Sequence, residues 1–255
     1  MFAAALVVSG CGRFGFSEAL VTDAGHSPVS DADATTSPAC GPTGDLRIHL
    51  AFDETAGLVA YDSSGAGNHG ALIGTSESAW TPGRIGNALD FDGVDDRVDA
   101  GSATNLDNVT NMTACAWVFV RSYPVQFPTI ADKSVDSFVG GWFFYVQSND
   151  TVGFQSNQRK WAIGGNLARN AWQHVCASWD GTAGFAGIRL YQNGANVAHA
   201  QTGSNGKAND NACERSLLIG RENDGSFPFD GRIDEFRLYG RVLDDSEIAA
   251  LAACP

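Results

Sequence analysis

The 255-residue chain is 44% hydrophobic, 18% charged and 10% aromatic, contains 30 glycines, and has a formal net charge of −13 at pH 7. That balance excludes a nucleic-acid binder, because a phosphate backbone would be repelled and no basic stripe compensates. No run approaches the roughly 18 apolar residues needed to cross a bilayer as a helix, and the length allows one large domain or two small ones.

The chain begins MFAAALVVSGCGRFGF. Phe2 to Val8 are apolar, and Ser9-Gly10 are small residues of the kind found at signal cleavage sites. Val8-Ser9-Gly10-Cys11 resembles a bacterial lipobox. The resemblance implies a lipoprotein signal peptide at residues 1–10, diacylglycerol on the Cys11 sulfur, and export to the cell envelope with a lipid as the sole membrane contact. In one respect the pattern is broken: the first basic residue, Arg13, follows the apolar run. An upstream start, or a buried first strand with no signal, are the alternatives. Residues 11–44 are rich in Ala, Ser, Thr, Asp and Pro, show no periodicity, and read as a disordered linker.

From residue 45 to 255 the pattern is that of one domain. In LRIHLAFDE, Leu46, Ile48, Leu50 and Phe52 alternate with Arg47, His49 and Asp53, which predicts a half-buried strand. Further strands are expected at ALDFDG, MTACAWVFV, GGWFFYVQ, TVGFQSN, KWAIGG, AWQHVCASWDG, GIRLYQNG, RSLLIGR and GRIDEFRLYG. Asn193-Gly194 signals a type I′ hairpin. Only LDDSEIAALAA reads as helix, with Asp244 or Asp245 as cap and Ile248 and Leu251 facing inward. Ten or more strands without alternating helices predict an all-β, two-sheet antiparallel sandwich with one short C-terminal helix.

Four stretches together resemble the laminin-G-like, concanavalin A-like jelly-roll superfamily: LAFDETAGLVAYDSSGAGNHGAL, GRIGNALDFDGVDDRV, WQHVCASWDG with LYQNG, and FDGRIDEFRLYGRVLDDSEIAAL. The likeness spans roughly residues 45 to 252 and implies a jelly roll. Its pentraxin branch implies a disulfide between Cys115 and Cys176. A second bond, Cys40 to Cys254, is expected because first and last strands of a jelly roll are usually adjacent; Cys213 is the competitor for Cys254.

The glycan-cleaving relatives need three carboxylates at alternate positions of one strand face. Asp234 and Glu235 are neighbours and are expected on opposite faces, while Asp90 and Asp92 lack a third partner at Val94. No nucleophile elbow, zinc-binding histidine pair or phosphate loop is present, so a non-enzyme is expected. The one cofactor expectation is Ca²⁺. The loop RENDGS resembles the acidic pentraxin loop and implies Glu222, Asn223 and Asp224 as ligands, with Asp136 from a facing loop. A solvated acidic loop, or a structural ion near Asp53 and Asp234, are the alternatives. For sugar, aromatic faces with polar neighbours are needed; the candidates are Trp142, Tyr145 and Trp161 with Gln155 and Arg159. The expected partner is a carbohydrate, or else an envelope or extracellular protein.

Overall fold

The computed structural model describes residues 40–107, 109–136, 139–156, 160–182, 187–203 and 215–255, without the side chains of 77, 136, 139, 140, 160, 161, 202 and 203. The segment expected to be a signal, the expected lipidation site Cys11, Cys213, Arg159 and all but the last residues of the expected linker lie outside it.

Two antiparallel sheets form the sandwich that the alternation predicted. The first holds β1 (Leu46–Leu50), β4 (Trp80–Pro82), β5 (Asn87–Asp92), β7 (Met112–Ser122), β12 (Trp172–Trp179), β13 (Ile188–Gln192), β14 (Ala195–Asn196) and β17 (Asp230–Tyr239). The second holds β2 (Val59–Ala60), β3 (Gly70–Ile73), β6 (Arg97–Asp99), β8 (Thr129–Asp136) and β9 (Val139–Gln147). It continues through β10 (Thr151–Ser156), β11 (Lys160–Gly164), β15 (His199–Gly203) and β16 (Leu218–Ile219). The orders are β14-β13-β12-β7-β17-β5-β4, with β1 also on β17, and β15-β11-β10-β9-β8-β16-β6-β3-β2.

The inner faces supply the core. Ala114, Ala116 and Val118 of β7, with Ile233, Phe236 and Leu238 of β17, meet Phe144, Val146, Val152 and Phe154 of the second sheet. Small residues on β7 let the large rings of the opposite sheet close the gap, as dense interior packing demands. The first sheet's outer face carries a second apolar cluster, formed by Cys115, Cys176, Tyr191, Tyr239, Leu243, Ile248 and Leu251. The helix α1 (Asp245–Ala252) contributes Ile248 and Leu251 to it, and Asp244 caps the helix in a capping box with Glu247, the cap that LDDSE encodes.

Both expected disulfides are present: Cys115–Cys176 joins facing positions of β7 and β12, and Cys40–Cys254 ties the start of the domain to its end. Asn193 and Gly194 have φ of 51° and 81°, as a type I′ turn between β13 and β14 requires. The first strand departs from simple alternation. Its register shifts between Leu46 and Ile48, so Ile48 and Leu50 enter the core while Leu46 packs on the outer cluster. Phe52 lies beyond the strand with φ of 58°.

Candidate functional site

The residues expected to bind ligand divide between two faces of the second sheet. Trp142 belongs to the inter-sheet core, stacked on Phe154 with ring centroids 6.4 Å apart. Strand alternation forces this, since Trp142, Phe144 and Val146 share a face. The expectation that Trp142 offers a sugar platform is therefore corrected.

On the other face, Phe143 stands opposite Asp132 of β8 and Gln155 of β10, and Tyr145 stands opposite Thr129 and Gly153. Trp161 occupies the register position opposite Gln155. A Cβ at Gly153 would fall 2.3 Å from the Tyr145 ring; the glycine leaves room for that ring to lie across β10. There it stacks on Phe143 at 4.6 Å and 19°. Phe127 meets Tyr145 edge-on at 5.5 Å, and Phe227 contacts both Phe127 and Phe143. Tyr145 is only 3% exposed, so it is the base of this aromatic nest and not the open platform expected; Phe127 and Phe227 are its partly exposed rim.

The polar wall beside the nest is the loop after β16. Asn223 donates its backbone N–H and its Nδ2 to Asp132 Oδ2 at 2.9 and 2.6 Å, and Nδ2 also reaches Ser216 O at 3.1 Å. Phe227 O accepts from Thr129 N and Oγ1. Asp132 is fully buried. Burial raises its carboxyl above the usual carboxylate range, against the lowering effect of Ser134 and Asn223. Glu222 is buried as well. The structure thus brings Asn223, Tyr145 and Gln155 to one face and adds Asp132, Phe127, Phe143 and Phe227. Nothing in TIADKSVD, which is polar at five of its eight positions, singles out Asp132.

The expected calcium ligands Glu222, Asn223 and Asp224 follow one another in the loop after β16. Asp224 is exposed and its Oδ1 accepts the Ser226 N–H at 2.7 Å, while Asn223 turns its amide donors to Asp132. Among the described residues, the triads of metal-ligating side chains with ligand atoms within 4.8 Å of one another are Asp92/Asp95/Asp96 and Cys115/His174/Cys176. Neither contains Glu222 or Asp224, and the second is spent on the disulfide. Asp136 ends β8, with its side chain outside the description.

The acids of the last strand also differ from expectation. The pairing of β17 with β7 shifts between Asp234 and Arg237, and Glu235 has φ of 54°, the signature of a bulge. Ile233 and Phe236 point into the core, so Asp234 and Glu235 both stand on the outer face of the first sheet. Asp234 Oδ2 accepts from Arg84 N and Ile85 N at 2.8 and 2.9 Å, while Oδ1 is buried without a partner. Burial, reinforced by Glu235 and Asp53, pushes its pKa up to about 8 despite those bonds. Glu235 lies 2.9 Å from His49 Nε2 and pairs with Arg237, and these hold its carboxyl below the usual range against burial. His174, also buried here, is pushed down to about 3, first by burial and then by Arg237.

No curated protein sequence matches the chain. Solved structures with the same fold include domain 4 of AbnA, an extracellular GH43 arabinanase of Geobacillus stearothermophilus, in complex with arabinotriose. It is 23% identical over 82% of this chain and 98% of that one, with a TM-score of 0.57. Trypanosoma rangeli sialidase is 16% identical over 85% of this chain, with a TM-score of 0.58. The match covers 35% of the sialidase, so this chain spans about a third of that enzyme. The binding domain of Paraclostridial Mosquitocidal Protein 1 is 15% identical over 82% of this chain and 52% of that one, with a TM-score of 0.56. A family model, Laminin_G_3, matches residues 92–249, from the end of β5 through the bulged last strand and into α1. The chain belongs to the concanavalin A-like lectin/glucanases superfamily.

Proposed function

We propose that the domain is a non-catalytic carbohydrate-binding module and that its ligand is held on the outer face of the second sheet. The observation that carries this is the pair of partly exposed rings, Phe127 and Phe227, set on the buried Phe143–Tyr145 stack beside Asn223, which Asp132 holds in place. Aromatic rings next to a few fixed polar groups are what a sugar ring, apolar on its C–H faces and polar at its edge, requires. The solved neighbour in complex with arabinotriose supports the same ligand class. A hydrolase reading is disfavoured because Asp234 and Glu235 are buried and engaged with backbone N–H groups, His49 and Arg237. The reading needs no calcium, since the 222–224 loop is fixed by hydrogen bonds to Asp132.

A glycan array probed with the full chain, once with Ca²⁺ and once with chelator, tests it. Binding to neutral glycans in both conditions is expected. Binding lost in chelator would restore the ion at the 222–224 loop, and silence in both would overturn the carbohydrate reading. The second reading, protein recognition, draws on exposed Leu58, Val59 and Tyr61 around the edge strand β2. Export fits the two disulfides, which persist in oxidising compartments, and no helix of the described residues is long and apolar enough to cross a membrane. We place the lipid anchor on Cys11; intact mass of membrane-extracted protein would show a diacylglyceryl terminus, and an unmodified Met1 would contradict it.

A further inference from the structure

The outer face of the first sheet carries a concentration of arginine over aromatic rings that the sugar site on the opposite sheet does not use. Trp172, Phe119, Arg232 and Asp90 form one transverse row across β12, β7, β17 and β5. The Arg232 guanidinium lies over the Phe119 ring at 5.4 Å, and the Arg84 guanidinium over Trp117 at 4.8 Å. Phe119 meets Trp172 edge-on at 5.7 Å. Trp117 and Phe119 are two residues apart on β7, so the two stacked guanidiniums are offset by about 7 Å along the strand.

Their hydrogen-bonding capacity is largely unspent. Among the described residues no carboxylate is within ion-pair distance of Arg84, whose backbone N–H donates to Asp234 while its guanidinium rests over Trp117. Arg232 reaches Asp90 only at 3.4 Å and Pro82 O only at 3.5 Å. Asp90 is shared with Arg121, which also holds Asp230 at 2.7 Å. Beneath Arg84, the buried indole Nε1 of Trp117 has no acceptor. A guanidinium held over a ring is already partly ordered, so binding a planar oxyanion costs it less side-chain entropy. Its N–H edge matches a carboxylate in bidentate geometry.

We propose that this face is a subsite for the carboxylate groups of an acidic polysaccharide, with Arg84 and Arg232 each receiving one carboxylate and Trp172 flanking a sugar ring. The occupant is a saccharide and not an acidic protein for two reasons. The cationic set spans only one or two sugar units. The net charge of −13 also repels a broad anionic surface, whereas a thin chain is screened beyond about 8 Å at physiological salt. This subsite is independent of the Phe143–Tyr145 nest and does not rest on the function proposed for it.

Isothermal titration of the full chain with tetragalacturonate, with its methyl-esterified form and with a decamer of glutamate tests the assignment. Tetragalacturonate should bind, with affinity falling at least tenfold on esterification and about tenfold in each of Arg84→Gln and Arg232→Gln. Val135→Ser, at an exposed position of β8 in the opposite sheet, should leave this affinity unchanged. Unchanged melting curves of the two arginine variants keep lost binding distinct from lost fold. Equal binding of acid and ester, no binding of either, or unchanged affinity in both variants would overturn the proposal. Equal or tighter binding of the glutamate decamer would overturn the saccharide occupant.

Discussion

Asp234 and Glu235 are consecutive in the chain and yet project from the same face of their sheet. The bulge that makes this so gives the two carboxyls opposite environments: Asp234 faces backbone N–H groups and other acids, Glu235 faces His49 and Arg237. One is kept protonated near neutrality and the other ionised.

That contrast sets a pH dependence. The Asp234 pKa is raised from 3.8 to about 8 in the folded protein. Between those values the folded state holds a proton that the unfolded chain has released, so stability contributed by this site falls as pH rises through the window. Asp234→Asn should flatten the loss of melting temperature between pH 5 and pH 8.5. At the upper end it should be more stable than the native protein by about 1–3 kcal/mol. A variant that tracks the native pH profile would contradict the assignment.

Glu235 behaves in the opposite sense. Its folded pKa is lowered, so its contribution is present above the unfolded value and is lost as pH falls through the folded one. Glu235→Gln leaves buried Arg237 without its counter-charge and should cost about 3–5 kcal/mol at pH 7. Urea denaturation at pH 7 and pH 3 checks both points, since the deficit should shrink at the lower pH.

The Cys115–Cys176 bridge spans a sequence separation of 61. Replacing both with alanine should lower stability by about 4 kcal/mol in chain-entropy terms. The Cys40–Cys254 bridge closes a loop of 214 and holds the chain end beside α1. Its removal should also speed amide exchange in Asp245–Ala252, the helix that directly precedes Cys254.

Helix α1 depends on its cap. Asp244 accepts from Ser246 N and Glu247 N, and Glu247 returns a bond to Asp244 N while accepting two from Arg241. Asp244→Ala should cost about 1 kcal/mol, read as a shift in the denaturation midpoint at unchanged slope.

What could be read from sequence was local. The Asn193-Gly194 turn and the Asp244 cap are set by residues within four positions of one another. The apolar alternation that placed the strands is equally local, and the sandwich followed from it. The disulfides came from resemblance and strand adjacency. The bulge escaped because Asp234-Glu235-Phe236 contains no glycine to mark a positive φ, so strict alternation put the acids on opposite faces. The choice between Trp142 and Tyr145 escaped because GGWFFYVQ is aromatic on both faces, and only the partner strands decide which one meets the core. Asp132 and Phe227 are distant in sequence from the residues they adjoin and become part of the site only through the β16–β8 pairing.

The most direct test of the sugar-binding account is hydrogen exchange on the full chain with and without the strongest neutral glycan from the array. Slowed exchange in Thr129–Asp136, Val139–Gln147 and the 220–229 loop, abolished with the binding itself by Asn223→Ala, is the predicted result. Protection confined to other strands, or glycan binding that Asn223→Ala leaves intact, would contradict the placement of the ligand on the Phe143–Tyr145 face.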